Sequence, residues 1–279
     1  VPGDVIVHLE TTHPAQNAPI FGLMGNDTLD GRNAHNYIEG CKGNDALRGG
    51  KDDDLLEGGD GNDSLNGNRG DDGLLGGDGN DRLNARWGND ELDGGEGNDV
   101  LSSRSDAGEP EIAQETDVEQ VYGDQPFANS SDILTGGPGA DKFKFRLDIN
   151  AKYEIAAEHA DEDTGVINWQ GVAGENDNVH DHWVDSIGND VITDFNKADG
   201  DKIIINGHTR QFELTDQGDH TLIELYSEQG GAGAHQGDLL GTIAVYGDGV
   251  TEADIRGDAM SFHGAYKTID QMADDLGIA

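Results

Sequence analysis

Asp27, Asp45, Asp63, Asp81 and Asp99 stand eighteen residues apart, and Asn36, Asp54, Asp72 and Asp90 fall midway between them. Two residues after each comes Leu29, Ile38, Leu47, Leu56, Leu65, Leu74, Leu83, Leu92 or Leu101. Glycines crowd the residues before each acid. Carboxylates are hard oxygen donors, and glycine turns let carbonyl oxygens approach without a side chain in the way. That donor set suits a hard divalent cation. Calcium, which takes about six to eight oxygens, fits better than magnesium, which demands strict octahedral geometry and keeps its waters.

For the acids to act together the chain must stack them. From Gly22 to Ser102 it divides without a gap into nine units of nine residues, from GLMGNDTLD to GGEGNDVLS. Position one is glycine except at Ala85, and position four is glycine except at Ala34 and Asp52. The glycine half predicts a turn. The x-Leu-x half predicts a short strand with one inward and two outward side chains. Two units complete one coil, and coils stack about 4.8 Å apart, as parallel strands do. The position-six acids then form two columns. Neighbouring charges at that spacing repel by roughly 3 kcal/mol at an effective dielectric near 20. A cation between coils reverses the sign.

Composition points the same way. The 279 residues hold 57 acidic and 17 basic side chains, a formal net charge of -40, with 43 glycines and only 34% hydrophobic residues. Such a chain ranks near disorder unless counter-ions neutralise it. The charge argues against nucleic acid or an anionic membrane as a partner. No apolar run is long enough to span a membrane, and no N-terminal signal with a basic region and an apolar core is visible. The single cysteine, Cys41, forms no intramolecular disulfide and reads as a small side chain filling a turn.

These units resemble the RTX, or hemolysin-type, calcium-binding nonapeptide repeat, glycine-glycine-x-glycine-x-aspartate-x-apolar-x, a known calcium-binding parallel β-helix. The resemblance implies an all-β fold: a parallel β-roll with a C-terminal antiparallel β cap and short helices. It implies calcium between turns of alternate units, held by Asp27, Asp45, Asp54, Asp63, Asp72, Asp81, Asp90 and Asp99 with turn carbonyls. Nine units give up to about seven same-side ions, with a few more near the cap. Neutral Asn36 departs from the pattern at the start of its column. The resemblance also implies a secreted, extracellular protein, unfolded in the cytosol, exported by type I secretion machinery and folding on calcium outside.

The expected organisation is a lead-in over 1–21, the roll over 22–102 and an acidic inserted loop over 103–126. The last repeats follow over 127–146, a capping β region over 147–250 and a helical segment over 251–279. The period returns in FANSSDILT and GGPGADKFKF, with Asp132 and Asp141 at position six and Leu134 and Phe143 at position eight. The second is similar to the last repeat of serralysin-type proteins. IGNDVITDFNKADGDKIIING resembles their closing strand-loop-strand and makes Asp190 and Asp194 candidate last ligands. No His-Glu-x-x-His motif accompanies it, so the zinc protease centre is absent. No segment has the EF-hand spacing. KIIIN, RQFEL, HTLIELY and LLGTIAVYG read as an antiparallel meander. VTEADI carries a Thr251-x-x-Asp254 capping box, and Ile269, Met272 and Leu276 are at helical spacing.

The two outward faces differ. One carries Thr28, Asp30, Ala46, Arg48, Ser64, Asn66, Arg82, Asn84, Val100 and Ser102. The other carries Tyr37, Glu39, Leu55, Glu57, Leu75, Glu91 and Asp93, and is expected to pack on the C-terminal block. The first face is either an ordinary solvated sheet or a row that hydrogen-bonds an acidic or neutral polysaccharide. Repeat modules of alginate epimerases look similar in this respect. His35, Tyr37, Arg48 and Arg82 are the catalytic candidates if the chain is instead a uronate lyase or C5-epimerase. A third reading is a secretion passenger with no glycan affinity. His180 and His182 are either a transition-metal pair or solvated loop residues. Trp87 either stacks on a sugar or covers the roll's edge.

Overall fold

The computed structural model describes residues 6–8, 19–104, 131–147, 149–151, 153–161, 163–168, 182–184, 187–207, 209–227, 239–257 and 268–271. Two sheets face one another, and the repeat block alternates between them. The first sheet runs Ile6–His8, Thr28–Arg32, Ala46–Gly50, Ser64–Arg69, Arg82–Trp87, Val100–Arg104, Lys142–Leu147, Lys202–Gly207 and Ile255–Arg256. The second runs Ile20–Phe21, Tyr37–Lys42, Leu55–Asp60, Gly73–Asp78, Glu91–Glu96, Ile133–Thr135 and Gly188–Phe195. It continues through Leu239–Gly247, His220–Ser227 and Thr209–Asp216. This is the parallel β-roll with an antiparallel β end that the repeats predict.

The register follows from the period. Leu29, Leu47, Leu65, Leu83, Leu101, Phe143 and Ile203 pair in succession along the first sheet. Ile20, Ile38, Leu56, Leu74, Leu92, Leu134 and Ile192 do so along the second. All of these are buried. A strand alternates its side chains, so one inward apolar residue per unit gives two facing rows and a thin core between the sheets. The step of eighteen residues becomes 42 between Asp99 and Asp141 and between Asp90 and Asp132, yet the columns continue. A coil thus carries 24 extra residues between two in-register strands.

The C-terminal part thickens the core. Phe143, Phe145, Leu147, Ile187, Phe195, Ile205, Ile223, Leu225, Ile243 and Val245 are buried together. Thr209–Asp216, His220–Ser227 and Leu239–Gly247 form the expected antiparallel meander. Lys202–Gly207 does not belong to it. This strand pairs in parallel with Lys142–Leu147 as the next rung of the roll. Three consecutive isoleucines suit either setting, since a strand flanked on both sides in a parallel sheet is as apolar as one in a cap.

One further expectation needs correction, and the Thr251-x-x-Asp254 capping box is present. The face with Tyr37, Leu55 and Leu75 does not pack on the C-terminal block, which extends the second sheet edge to edge. Leu55 and Leu75 remain 39% and 36% exposed. Glu252–Asp254 is a single 3-10 turn, with the Asp254 carboxylate accepting from the Thr251 N–H and hydroxyl. Ile269 opens a helical turn, while Met272 and Leu276 lie outside the described residues.

Candidate metal centre

Each coil crosses from the second sheet to the first along one edge and returns along the other, so the position-six acids form two columns, one per edge. The first edge holds Asp27, Asp45, Asp63, Asp81, Asp99, Asp141 and Asp201. The second holds Asn36, Asp54, Asp72, Asp90, Asp132 and Asp190. All thirteen are buried, each 5% exposed or less.

One oxygen of each acid beyond the first position of its column has a fixed use. Asp45 Oδ1 accepts the Asp27 main-chain N–H at 2.7 Å, and the pattern repeats from Asp63 to Asp45 and from Asp81 to Asp63. On the second edge Asp54 accepts from Asn36 at 2.7 Å and Asp72 from Asp54 at 2.8 Å. This bond explains why the residue is an acid rather than a longer or apolar side chain: it closes an N–H that would otherwise be buried and unmade.

The other oxygen is orphaned. Oδ2 of Asp27, Asp45, Asp54, Asp63, Asp72, Asp81, Asp90, Asp99, Asp132 and Asp141, and Oδ1 of Asn36, are buried without a hydrogen-bond partner. Buried polar atoms without partners are uncommon because each forfeits its hydration. Ten in two rows point to a ligand the polypeptide does not supply. The rows stop where protein donors take over. Ser103 Oγ donates to Asp190 Oδ2 at 3.0 Å, and the Asn196 N–H donates to Asp201 Oδ2 at 2.8 Å.

Position-one glycine marks the surroundings of the orphan oxygen. A Cβ on Gly94 would come within 2.6 Å of Asp99 Oδ2 and 2.7 Å of the Gly136 carbonyl oxygen. Gly22, Gly40, Gly58 and Gly76 stand in the same cradle. Carboxylate and carbonyl oxygen therefore converge where no side chain fits. Among the described residues no three His, Cys, Asp or Glu side chains converge on a point. A cation in these turns takes much of its coordination from the main chain. Oxygen-only donors with few carboxylates per site suit calcium and are poor for softer metals.

The acids also titrate abnormally. In the acids that shift, burial is the first cause, opposed by the main-chain N–H the acid accepts and reinforced by nearby carboxylates, which for Asp63, Asp72, Asp81 and Asp141 include those of the column. Asp54 and Asp63 are pushed up to about 6, Asp81, Asp90 and Asp141 to about 7, Asp190 to about 8 and Asp72 to about 9. Without a cation the columns hold protons more tightly than free aspartate does.

The remaining candidates fall elsewhere. Asp194 is not in a column: its carboxylate accepts the Gly136 and Gly137 N–H groups at 2.9 and 2.8 Å. Asp201 occupies the place beyond Asp141, its carboxylate accepting the Asp141 N–H at 2.9 Å. Sequence reading passed over it because its turn lacks the leading glycines, although Asp201-Lys202-Ile203 keeps the acid-x-apolar spacing. His35, Tyr37 and Arg48 do not assemble. Tyr37 faces outward on the second sheet, where its hydroxyl donates to Glu57 at 2.9 Å and Glu39 at 3.1 Å. Burial first, then these two carboxylates, raise its pKa. Arg48 and Arg82 face outward on the first sheet, across the core. His35 sits exposed on the second edge, 3.0 Å from the Asp53 carbonyl. Neighbours in sequence alternate between sheets, which is why adjacency misled. Cys41 takes a turn position with φ 76°, its thiol 3.4 Å from Glu39. Trp87 lies on the second edge between the guanidiniums of Arg69 and Arg86, at 5.4 and 5.2 Å. His180 and the side chain of His182 lie outside the described residues.

Comparison with known proteins bears on the repeats directly. The RTX calcium-binding nonapeptide repeat family model matches residues 20–47, 42–74 and 74–101. No curated protein sequence matches the chain. Among solved structures it is similar to the AlgE6R3 subunit of the Azotobacter vinelandii mannuronan C5-epimerase, at 20% identity and TM-score 0.33. That likeness covers 78% of this chain and 85% of that one. It is also similar to the extracellular lipase LipA from Serratia marcescens, at 15% identity and TM-score 0.24, covering 87% of this chain and 40% of the lipase. Among the described residues no helix is long and apolar enough to cross a membrane.

Proposed function

As a β-roll built on RTX calcium-binding nonapeptide repeats, the chain is, we propose, a calcium-folded module that binds acidic polysaccharide outside the cell. The two rows of orphaned carboxylate oxygens support the calcium half of this reading. A ligand that binds only the folded state stabilises it by mass action, so external calcium suffices even for weak sites while a calcium-poor cytosol leaves the chain unfolded. That coupling suits export of an unfolded chain through a type I secretion system.

The polysaccharide half rests on one observation, the register of the first sheet. Parallel pairing sets Asp30, Arg48, Asn66, Asn84, Ser102 and Lys144 in one outward row. Arg82, Lys142 and Lys202 stand in a second row beside it. Rungs about 4.8 Å apart present donors at a regular spacing to an extended chain of acidic sugars. Asn84 already donates to Asn66 at 3.1 Å, so these amides are held in line. The second sheet carries Glu39, Glu57, Glu91 and Asp93 at corresponding positions and repels such a polymer.

The test is retention of polyuronate on the calcium-loaded chain. Arg48→Ala with Arg82→Ala should weaken binding about tenfold or more, and raised salt should weaken it further. A neutral glucan should bind weakly or not at all. Equal retention of polyuronate by the double variant sinks the assignment of this face. The same incubation reads turnover: unsaturated or epimerised products would turn the module into an enzyme.

A further inference from the structure

The two edges are not equivalent, and the difference goes beyond the calcium reading on which it rests. The first-edge turns, 22–27, 40–45, 58–63, 76–81 and 94–99, hold eight acidic residues and one basic one, a net charge of -7. The second-edge turns, 31–36, 49–54, 67–72 and 85–90, hold six acidic and four basic residues, a net charge of -2. Arg32, Lys51, Arg69 and Arg86 supply the positive charge. Trp87 keeps two of them at the turn, since the Arg69 and Arg86 guanidiniums lie 5.4 and 5.2 Å from its ring. The lone first-edge cation, Lys42, is spent on Asp60.

The turns differ in shape as well. On the first edge every position-four residue is glycine. A Cβ on Gly43, Gly61, Gly79 or Gly97 would overlap the carbonyl oxygen of the position-four glycine one coil earlier. On the second edge position four is Ala34, Asp52, Gly70 and Gly88; a Cβ on Gly70 would stand 2.6 Å from the Asp52 oxygen and one on Gly88 1.9 Å from the Gly70 oxygen, each farther than the 1.4 to 1.6 Å at Gly43, Gly61, Gly79 and Gly97. At position four the carbonyl stack is looser there. The second column also begins with neutral Asn36 where the first begins with Asp27; both end in a closed acid, Asp190 and Asp201. Orphaned, buried oxygens remain at Asp54, Asp72, Asp90 and Asp132, so the second edge retains sites.

We propose that the two edges are two classes of calcium site, the first binding tightly and the second, partly neutralised by its own arginines and lysine, binding weakly and filling last. A nearby positive charge opposes a divalent cation, and a looser carbonyl stack offers it fewer ready oxygens. The roll then grips calcium on one edge as it folds and exchanges it on the other.

Calorimetric calcium titration of the full chain should resolve two classes that differ about tenfold or more in affinity. Asp63→Asn should remove capacity from the tight class and Asp72→Asn from the weak one. Lys51→Gln with Arg69→Gln leaves every column acid in place, so it keeps the test open if an acid variant fails to fold. It should tighten the weak class severalfold and leave the tight one unmoved. Terbium luminescence gives location: the part of the tryptophan-sensitised signal lost in Trp87→Phe should grow only in the second phase. A single class of sites overturns the proposal. So does a Trp87-dependent signal in the first phase, or equal effects of Asp63→Asn and Asp72→Asn on both classes. No calcium uptake at all overturns the calcium reading itself, and this proposal with it.

Discussion

The repeat block and the C-terminal end of the roll use the same coil and solve its stability in opposite ways. Between Gly22 and Ser102 the position-eight residue of each unit is a buried aliphatic, and the position-six side chain leaves one buried oxygen, an amide oxygen at Asn36 and a carboxylate oxygen elsewhere, without a hydrogen bond. Beyond Lys142 the coil buries two or more large side chains per rung, with Phe143, Phe145 and Leu147 on a single strand. There the column acids Asp190 and Asp201 are closed by Ser103 and Asn196. One end carries its stabilising contacts in its own sequence. The other leaves a charged gap for a ligand to fill. On the proposed reading, a thin leucine core is the condition that makes folding of the repeats respond to calcium.

Removing calcium should separate the two regions most sharply. In chelator near neutral pH, amide exchange should become fast at Leu47, Leu65 and Leu83 and stay slow at Ile223 and Ile243. Circular dichroism should lose the roll's strand signal and regain it when calcium returns. Uniform protection in chelator would show that the leucine rows hold the roll by themselves.

Protons should partly replace calcium in the roll. An acid whose folded pKa lies above its unfolded value contributes stability that is complete below the unfolded pKa and is lost as pH rises through the folded one. Burial pushes Asp54 and Asp63 up to about 6, Asp81 to about 7 and Asp72 to about 9, from an ordinary value of 3.8. The metal-free roll should therefore keep more strand at about pH 4 and lose it progressively toward pH 9. With calcium the trend reverses, because the cation needs the ionised acids, and its midpoint concentration should fall as pH rises. A metal-free roll that becomes firmer with rising pH would contradict the burial that raises these acids.

A single-residue contrast sharpens the comparison within one turn. Asp63 is buried in the column with its Oδ2 orphaned, whereas Asp60, three residues earlier, is exposed and paired with Lys42. Asp63→Ala should raise the calcium midpoint about tenfold or more, by the loss of a charged ligand. Asp60→Ala should move it little, since an exposed ion pair is screened by water and contributes little. Equal shifts would mean that total charge rather than position governs folding.

How much of this was legible follows from where the information sits. The columns, the leucine rows and the continuation through Asp132 and Asp141 come from local spacing, because a solenoid converts a period in sequence directly into contact in space. The antiparallel end was readable from alternation in HTLIELY and LLGTIAVYG. KIIIN reads as a meander strand but is a rung of the roll, since a run of isoleucines fits either setting. The supposed set of His35, Tyr37 and Arg48 failed because nine residues along the chain means the opposite sheet. Asp194 and Asp201 exchanged places because the closing turn lacks the glycines that mark the others. Ser103 gave no sign of its role, as its partner Asp190 lies 87 residues further on.

Ser103 supplies the smallest and most local test of the boundary between the two regions. It stands at position one, where glycine or alanine stands in the earlier units, and is completely buried. Its hydroxyl is the donor that ends the second column at Asp190. Ser103→Ala leaves that oxygen without a partner in a dry site and should cost about 1–3 kcal/mol of stability in calcium. The charge and the column are unchanged, so chelator sensitivity of the repeats should be as before. If calcium instead stabilises the variant more than the parent, Asp190 Oδ2 has joined the orphaned row and the column has lengthened by one site. The boundary between ligand-held and self-held coil would then rest on a single hydroxyl.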